Sequence, residues 1–438
     1  MIKIHESEKD SLKSWLIFFQ VCLNGSLLVT QLNAYSLIYI ELMDYFGFNS
    51  AQAQFLPSVY MGMRLVISPL IIQFIQRLGY RWSCVIGTLF VAISNFLNFF
   101  SFSYFAFLIT IGIIPMLSIS LIMIPNLFII KDILKRHLRK GFALYFTAFS
   151  LSNMMTQYLF SYFIEKYTIR GAFLMLSAFQ LNGILPTFFF PDSKEVKQSE
   201  HSTSLKSKLI NTFQEFWRAS RNLETILFYL AFFFASISAN TGYILIMDNA
   251  HLYHYDKNLI LFLPVLEDII SIPIRLFAGA LFDWKPIKPF SYIIYSGFIL
   301  IFSTSHLVNS FARYGYGFLV VTMALRAIGK GVFISQLVLP CSFLAETDSD
   351  VPLILSMGQS FRGAGVFIGN IISGHLKDHY GDYQPSLYFL WTTHFFGGLL
   401  YIISSCSHYH RTNREKVKEV CLLGIQKAIE IEERPMKD

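Results

Sequence analysis

Charge is scarce in this chain. Only 14% of its 438 residues are Asp, Glu, Lys or Arg, about half the usual share for soluble domains. In their place 54% of the residues are hydrophobic, and the mean hydropathy is +0.49. A helix needs roughly 20 mostly apolar residues to cross a bilayer, and the chain supplies such runs repeatedly. The composition excludes an ordinary soluble domain and predicts a polytopic membrane protein.

Motifs for catalysis and for metal binding are missing as well. The sequence has no Walker loop, no nucleophile elbow and no His-Glu-x-x-His motif, so neither ATP drive nor hydrolysis has support. The cysteines are isolated, without a Cys-x-x-Cys pair; they are Cys22, Cys84, Cys341, Cys406 and Cys421. We therefore predict that the protein is not an enzyme and uses no metal or other cofactor.

The apolar runs predict an all-α membrane protein with twelve transmembrane helices in two six-helix halves. The longest polar interruption, residues 191–222, divides the chain six spans from six. The predicted parts are a cytoplasmic N-terminus (1–14), a first half (15–190), a central cytoplasmic loop (191–222), a second half (223–406) and a cytoplasmic tail (407–438).

The distribution of basic residues predicts the orientation. With the N-terminus inside, 25 of the 35 Lys and Arg residues fall in cytoplasmic segments. External loops hold only Lys166, Arg170, Lys257, Arg313 and Lys377. Such an excess marks the cytoplasmic side, so both termini are expected there. It also accounts for the net charge of +7, and no nucleic-acid partner is implied.

The two predicted halves resemble each other in sequence. Phe-Leu-Pro begins a similar segment at Phe55 and at Phe262, and a shift of 207 positions aligns the two segments. A second echo links Ser161-x3-Glu165 with Gly374-x3-Asp378. Parallel repeats of this kind are typical of transporters whose substrate site lies between the halves near the bilayer midplane.

The loops after the second and eighth spans resemble the signature loop of the major facilitator superfamily. The second copy keeps Gly279 and Asp283, whereas the first has Gln76 at the position of the Asp. Within that superfamily the chain is most similar to the monocarboxylate transporters. The segments that carry this resemblance are "DSLKSW" before the first span, "LKRHLRKG" before the fifth, "RGAFLMLSAFQLNG" in the sixth and "SGHLKDHYGDYQPSLYFL" before the twelfth.

This resemblance implies the major facilitator fold and transport of a small monocarboxylate with a proton. It also implies a plasma-membrane location and, as in some relatives, a single-span glycoprotein partner. Two family positions differ here. The Lys of the first span falls on Asn33, and the Asp-x3-Arg of the eighth keeps Asp268 but has Ile272 in place of the Arg. The chain therefore resembles a divergent member.

Arg275 offers a substitute for the missing arginine. Asp268 and Arg275 stand at i and i+7 and share one helix face, with Pro273 between them as a candidate kink. We expect Arg275 to hold an anionic headgroup and Asp268 to serve as its counter-ion or proton carrier. The alternative is a structural ion pair, or an Arg275 that reaches for the cytoplasmic interface. Glu267 points to another face.

Four further cations lie within predicted spans: Arg64, Arg326, Lys330 and Arg362. Charged residues at that depth normally face the bundle interior or a water-filled path, and an excess of positive charge there would concentrate anions. For Arg326 and Lys330, binding to helix-end carbonyls or neighbouring acids is an equal alternative. The candidate substrate or proton-coupling residues are thus Asn33, Arg64, Asp268, Arg275, Arg326, Lys330 and Arg362.

The sequence predicts a secondary transporter for a small monocarboxylate or related organic anion, with protons as coupled partners. Because of Asn33 and Ile272, uncoupled facilitation of aromatic amino acids or of another solute stays open. A transport-inactive membrane sensor or scaffold is the alternative from another class.

Overall fold

The computed structural model describes residues 11–134, 138–191, 218, 222–347 and 350–432. Within these ranges the chain is helical and has no β-strand. Each of the twelve predicted spans corresponds to a helical run. Seven runs are long and apolar enough, by length and composition alone, to cross a membrane.

The first half contains spans one to six. Breaks within the spans fall at short π-helical segments, which follow Pro57 in the second span and precede Pro115 in the fourth. Between the fifth and sixth spans, Thr168 has a non-helical backbone (φ 62°, ψ 172°). In chain order the helices are Leu12–Asp44; Ser50–Pro57, Ser58–Met63, Arg64–Val66 and Ser68–Leu78; Tyr80–Phe100; Tyr104–Phe107, Leu108–Ile113 and Ile114–Ile133; and Leu138–Leu181 with Ile184–Thr187.

The second half repeats this order in spans seven to twelve. The seventh span is interrupted near Asn240 and the tenth near Gln336. The helices are Leu223–Ala239 and Thr241–Leu252; Lys257–Asp283; Ser291–Asn309; Tyr316–Ser335 and Val338–Leu344; Asp350–Tyr380; and Gln384–Glu432. The helix of the twelfth span therefore continues well beyond residue 406, where the sequence predicts that the span ends.

Glycines bring the seventh and eleventh spans into backbone contact. A Cβ atom on Gly369 would lie 2.0 Å from the carbonyl oxygen of Ile237, and one on Gly365 would lie 2.3 Å from that of Phe233. Small residues allow this close approach in membranes, where dispersion contacts replace the hydrophobic effect between helices. The contact fixes the eleventh span within its own half.

The halves meet mainly along two crossings, of the second span with the eleventh and of the fifth with the eighth. We call the side at which the first span begins the near side and the opposite side the far side. At the far side Asp378 accepts hydrogen bonds from the backbone N–H groups of Ser50 (2.8 Å) and Ala51 (2.7 Å). This carboxylate of the second half caps the N-terminus of the second span, where helix N–H groups lack intrahelical partners.

The other crossing carries a matching contact. Lys257, at the start of the eighth span, forms an ion pair with Glu165 of the fifth span at 2.7 Å. Ser50 and Lys257 are 207 positions apart, the shift that aligns the repeats, and Glu165 and Asp378 are the acids of the second echo. At each crossing, an acid of one half thus binds the first residues of a helix of the other half: Asp378 binds the start of the second span, and Glu165 binds the start of the eighth.

We expect Gly369→Ala to destabilise the protein, because the new methyl group would overlap the Ile237 carbonyl. Overpacking typically costs about 1–3 kcal/mol, which should lower the melting temperature in detergent by several degrees. Gly297→Ala in the ninth span is the matched control. A Cβ there meets nothing within 4 Å, so its melting temperature should stay unchanged or rise slightly. Equal effects of the two substitutions would contradict this packing.

We expect Asp378→Ala to loosen the far side, because two helix N–H groups lose their acceptor. The change can be measured through the accessibility of a cysteine introduced by Ser50→Cys. Ser50 is 2% exposed, and Ser50→Cys keeps the backbone N–H that Asp378 binds. A hydrophilic maleimide should label Cys at position 50 several-fold faster when Asp378→Ala is present. Glu165→Gln is the control for loss of an acid, and a smaller increase is expected because the ion pair of Glu165 is exposed. An unchanged labelling rate in Asp378→Ala would oppose a closing role.

Candidate functional site

Asp268 lies at the crossing of the fifth and eighth spans, midway along both. The residue is 7% exposed, and its carboxylate accepts a hydrogen bond of 2.5 Å from the side-chain amide of Asn153, in the other half. Gln157 donates to Asn153 (3.3 Å) and to the hydroxyl group of Tyr243 in the seventh span (3.1 Å). A chain of polar groups therefore crosses from one half to the other at mid-depth.

Glu267 points away from Asp268 and binds two cations of the tenth span. Its carboxylate lies 3.2 Å from the Nε atom of Arg326 and 2.5 Å from the Nζ atom of Lys330. The side chain of Arg326 is fully buried, whereas that of Lys330 is 21% exposed, with its ammonium group 5.1 Å from the ring centre of Tyr243. The two cations are four residues apart, so they share one helix face and bind the same acid.

Arg275 crosses to the first half but does not pair with Asp268. Its guanidinium group donates to the backbone carbonyl of Phe146 and to the hydroxyl group of Ser150, both at 3.0 Å. Seven residues separate Asp268 from Arg275, about 10 Å along the helix axis. Ser150 also lies near the Asp268 carboxylate and so stands between the two charges. The structure thus brings both to one crossing without the direct ion pair that their shared face suggests.

Arg64 and Arg362 lie at the other crossing, on the second and eleventh spans. Both are partly buried, and no ion pair links either of them to an acid in the described ranges. Arg362 donates to the side chain of Gln359 (3.3 Å). Asn33 belongs to the first span, and its side chain lies outside the described part of the structure. Of the seven predicted residues, four therefore gather around Glu267 and the fifth–eighth crossing.

The neutral members of this network are not among the residues predicted from the sequence. Ser150, Asn153 and Gln157 stand at i, i+3 and i+7 of the fifth span, so one face of an apolar helix carries three polar side chains. That spacing was the available signal, but no charge drew attention to it. No cluster in the described ranges has three or more His, Cys, Asp or Glu side chains placed to hold a metal ion.

We expect Glu267→Gln to destabilise the second half severely, because it leaves Arg326 and Lys330 without a counter-charge. Breaking a buried ion pair from one side typically costs about 3–5 kcal/mol. The measurement is the yield of monodisperse protein together with its melting temperature in detergent. The control is Glu165→Gln, which removes an acid from an exposed pair and should leave both readouts nearly unchanged. A Glu267→Gln protein as stable as wild type would show that the cluster does not contribute to folding.

Comparison with known proteins places this geometry in a family. A profile of the Major Facilitator Superfamily matches residues 17–346. Monocarboxylate transporter 2 of Mus musculus is 23% identical over 409 residues, which cover 88% of this chain and 82% of the relative.

Solved transporters share the fold. A POT family transporter in complex with 5-aminolevulinic acid superposes with a TM-score of 0.69 at 14% identity, covering 90% of this chain and 96% of the other. The nucleoside transporter NupG gives a TM-score of 0.63 at 16% identity, covering 90% and 97%. These proteins are transporters and not enzymes. The chain belongs to the major facilitator superfamily, as a divergent member similar to the monocarboxylate transporters, and is an integral multi-pass membrane protein of the secondary transporter type.

Proposed function

We propose that this protein carries a small monocarboxylate or a related organic anion across the bilayer by alternating access, coupled to a proton. The observation that supports this most is the placement of charge. Five cations and two acids lie at or near mid-depth beside the crossings where the halves meet. Among the described residues there, Glu267 alone neutralises cations by direct ion pairs. An excess of positive charge in such a place favours an anionic solute.

Asp268 is the proposed proton carrier. Its nearest partners are neutral, the amide of Asn153 and the hydroxyl of Ser150, whereas the adjacent Glu267 is bound to two cations. Protonation of Glu267 would leave buried positive charge unpaired, but protonation of Asp268 would break no ion pair. A proton on Asp268 also changes its hydrogen bond to Asn153, so the proton state affects a contact between the halves.

The remaining predicted residues are proposed to have different roles around the transported anion. Lys330 is the partly exposed member of the Glu267 cluster and faces the ring of Tyr243, while Arg326 holds Glu267 in place from a fully buried position. Arg275 links the halves through Ser150 and Phe146 and can release that link as they move. Asn33 is the proposed polar contact of the first span.

The relative supports the substrate class. Monocarboxylate transporter 2 carries that class in its name, and the cation excess agrees with it independently. Uncoupled facilitation is the second candidate, favoured by Asn33 and Ile272 at positions where the family has charged residues. The near side is proposed to face the cytoplasm of a cell whose plasma membrane holds the protein, and a single-span glycoprotein is a proposed partner.

We expect wild-type protein in proteoliposomes to take up labelled pyruvate faster when the outside is more acidic. Asp268→Asn should remove this stimulation while counterflow exchange of pyruvate continues, because the variant mimics the protonated acid. Glu165→Gln, which removes an exposed acid, should keep the stimulation.

Three other outcomes are informative. Wild-type uptake that ignores the pH gradient would remove proton coupling and support facilitation. Uptake of phenylalanine but not of pyruvate or lactate would replace the anion by an aromatic amino acid. No uptake of any of these solutes would contradict transport of the proposed class and favour a sensor or scaffold.

A further inference from the structure

The crossing of the second and eleventh spans is a backbone contact between glycines. A Cβ on Gly62 would lie 2.8 Å from the carbonyl oxygen of Gly363, and one on Gly363 would lie 2.6 Å from that of Gly62. The rings of Phe55 and Phe367 meet farther toward the far side, with centres 6.0 Å apart. The two helices cannot approach more closely at this point, so it acts as a fixed crossing.

Arg64 and Arg362 both lie immediately on the near side of that crossing. Arg64 follows Gly62 by two residues in a span that runs toward the near side, and Arg362 precedes Gly363 in a span that runs away from it. Because each lies within two residues of the Gly62–Gly363 contact, the two side chains start from neighbouring points of the same crossing. Each belongs to a different half, so the distance between them depends on how the halves sit.

Neither arginine has a counter-charge among the residues that the structure describes. In the described ranges Arg64 makes no hydrogen bond and no ion pair, and Arg362 makes one hydrogen bond, to Gln359. The Nε atoms of both are buried without a partner. A buried, charged donor without an acceptor is costly, and two like charges brought together in a medium of low dielectric cost more.

At the opposite crossing the cations do have acceptors, although the Nε atom of Arg275 and one Nη atom of Arg326 are also buried without a partner. Arg275 has a carbonyl and a hydroxyl acceptor at 3.0 Å, and Arg326 and Lys330 share the carboxylate of Glu267. The repeats place the two crossings in equivalent positions. Among the described residues, the second–eleventh crossing has cations from both halves and no acid paired with them.

We propose that Arg64 and Arg362 form one anion site, which takes the carboxylate group of the transported solute between them. Guanidinium groups bind carboxylates with two parallel hydrogen bonds, and a carboxylate between two of them can bond to both halves at once. This inference rests on the proposed function and assigns the headgroup to this crossing, because the guanidinium of Arg275 is already occupied by groups of the fifth span.

The site also couples binding to movement. Without an anion, the repulsion between Arg64 and Arg362 opposes closure of the halves on the near side of the crossing. A carboxylate between them replaces repulsion by two attractive contacts, and these strengthen as the halves approach. An empty carrier therefore resists near-side closure and a loaded carrier does not. A ligand shifts such an equilibrium only by binding one state better than the other, and this arrangement provides that difference.

The test measures binding separately from transport. Purified full-length protein is titrated calorimetrically with pyruvate, benzoate and malonate, using wild type, Arg64→Gln, Arg362→Gln and the double variant. We expect each single variant to bind pyruvate or benzoate at least tenfold more weakly. The double variant should be little weaker than either single one, because both residues act on one carboxylate. Arg313→Gln, on an exposed far-side arginine that contacts Tyr314, is the control and should bind like wild type.

Thermal stability separates this role from a structural one. Removal of an unpaired cation should leave the melting temperature unchanged or raise it, whereas loss of a structural cation should lower it. Unchanged affinity in both single variants, or no binding of any of the three probes to wild type, would overturn the site. Binding that depends on both arginines without uptake in proteoliposomes would keep the site and contradict the proposed transport instead.

Discussion

A charged side chain inside a bilayer is costly unless the protein supplies a partner, a ligand site or a water-filled path, because lipid supplies none. Glu267 meets this requirement for two cations at once. It draws Arg326 and Lys330 of the tenth span onto the eighth and thereby holds two helices of the second half together at mid-depth. Asp268, next to it, forms no direct ion pair with any described residue and hydrogen-bonds to Asn153 of the first half. The polar contact between the halves therefore depends on two adjacent acids with different partners: Glu267 binds cations of its own half, and Asp268 accepts a hydrogen bond from the other half.

The two crossings use different chemistry for the same geometric task. At the fifth–eighth crossing, hydrogen bonds of Asn153, Ser150 and Arg275 connect the halves and can be exchanged as the halves move. At the second–eleventh crossing the backbones touch at Gly62 and Gly363, a contact that can pivot but cannot be exchanged. The fifth–eighth crossing can therefore respond to a change in the charge of Asp268. The second–eleventh crossing can serve as the pivot about which the two halves rotate.

Much of the fold could be predicted from the sequence, because apolar runs of bilayer length leave few alternatives to a bundle of helices. The internal repeats extend to the contacts between the halves: the 207-position shift relates Ser50 to Lys257, and the separate second echo relates Glu165 to Asp378, and these residues join the halves at the far side. The intramembrane charges could also be predicted from the sequence, because a charged residue is rare in an apolar helix.

Partners were much harder to predict than positions. Sequence spacing placed Asp268 and Arg275 on one face, but a shared face says nothing about the roughly 10 Å between them or about Ser150 on the opposing helix. Sequence spacing also could not predict whether Arg326 would pair with Glu267 or with the carbonyl groups at a helix end. Those answers depend on which residues of distant spans arrive at the same depth. Neutral groups such as Asn153 remained hidden because they cost less in an apolar helix than a charge does.

The Asp378 cap has a consequence for how this protein tolerates change. Its acceptor atoms bind backbone N–H groups, which every residue except proline provides. Any residue except proline at positions 50 and 51 therefore keeps the two donors, whereas Asp378 must remain an acceptor. The side chains at these two positions are constrained separately, because Ser50 is buried and hydrogen-bonded to Tyr39 and Ala51 lies against Gly374. At this crossing the far-side contact is therefore supplied by the backbone on the side of the second span and by one carboxylate on the side of the eleventh.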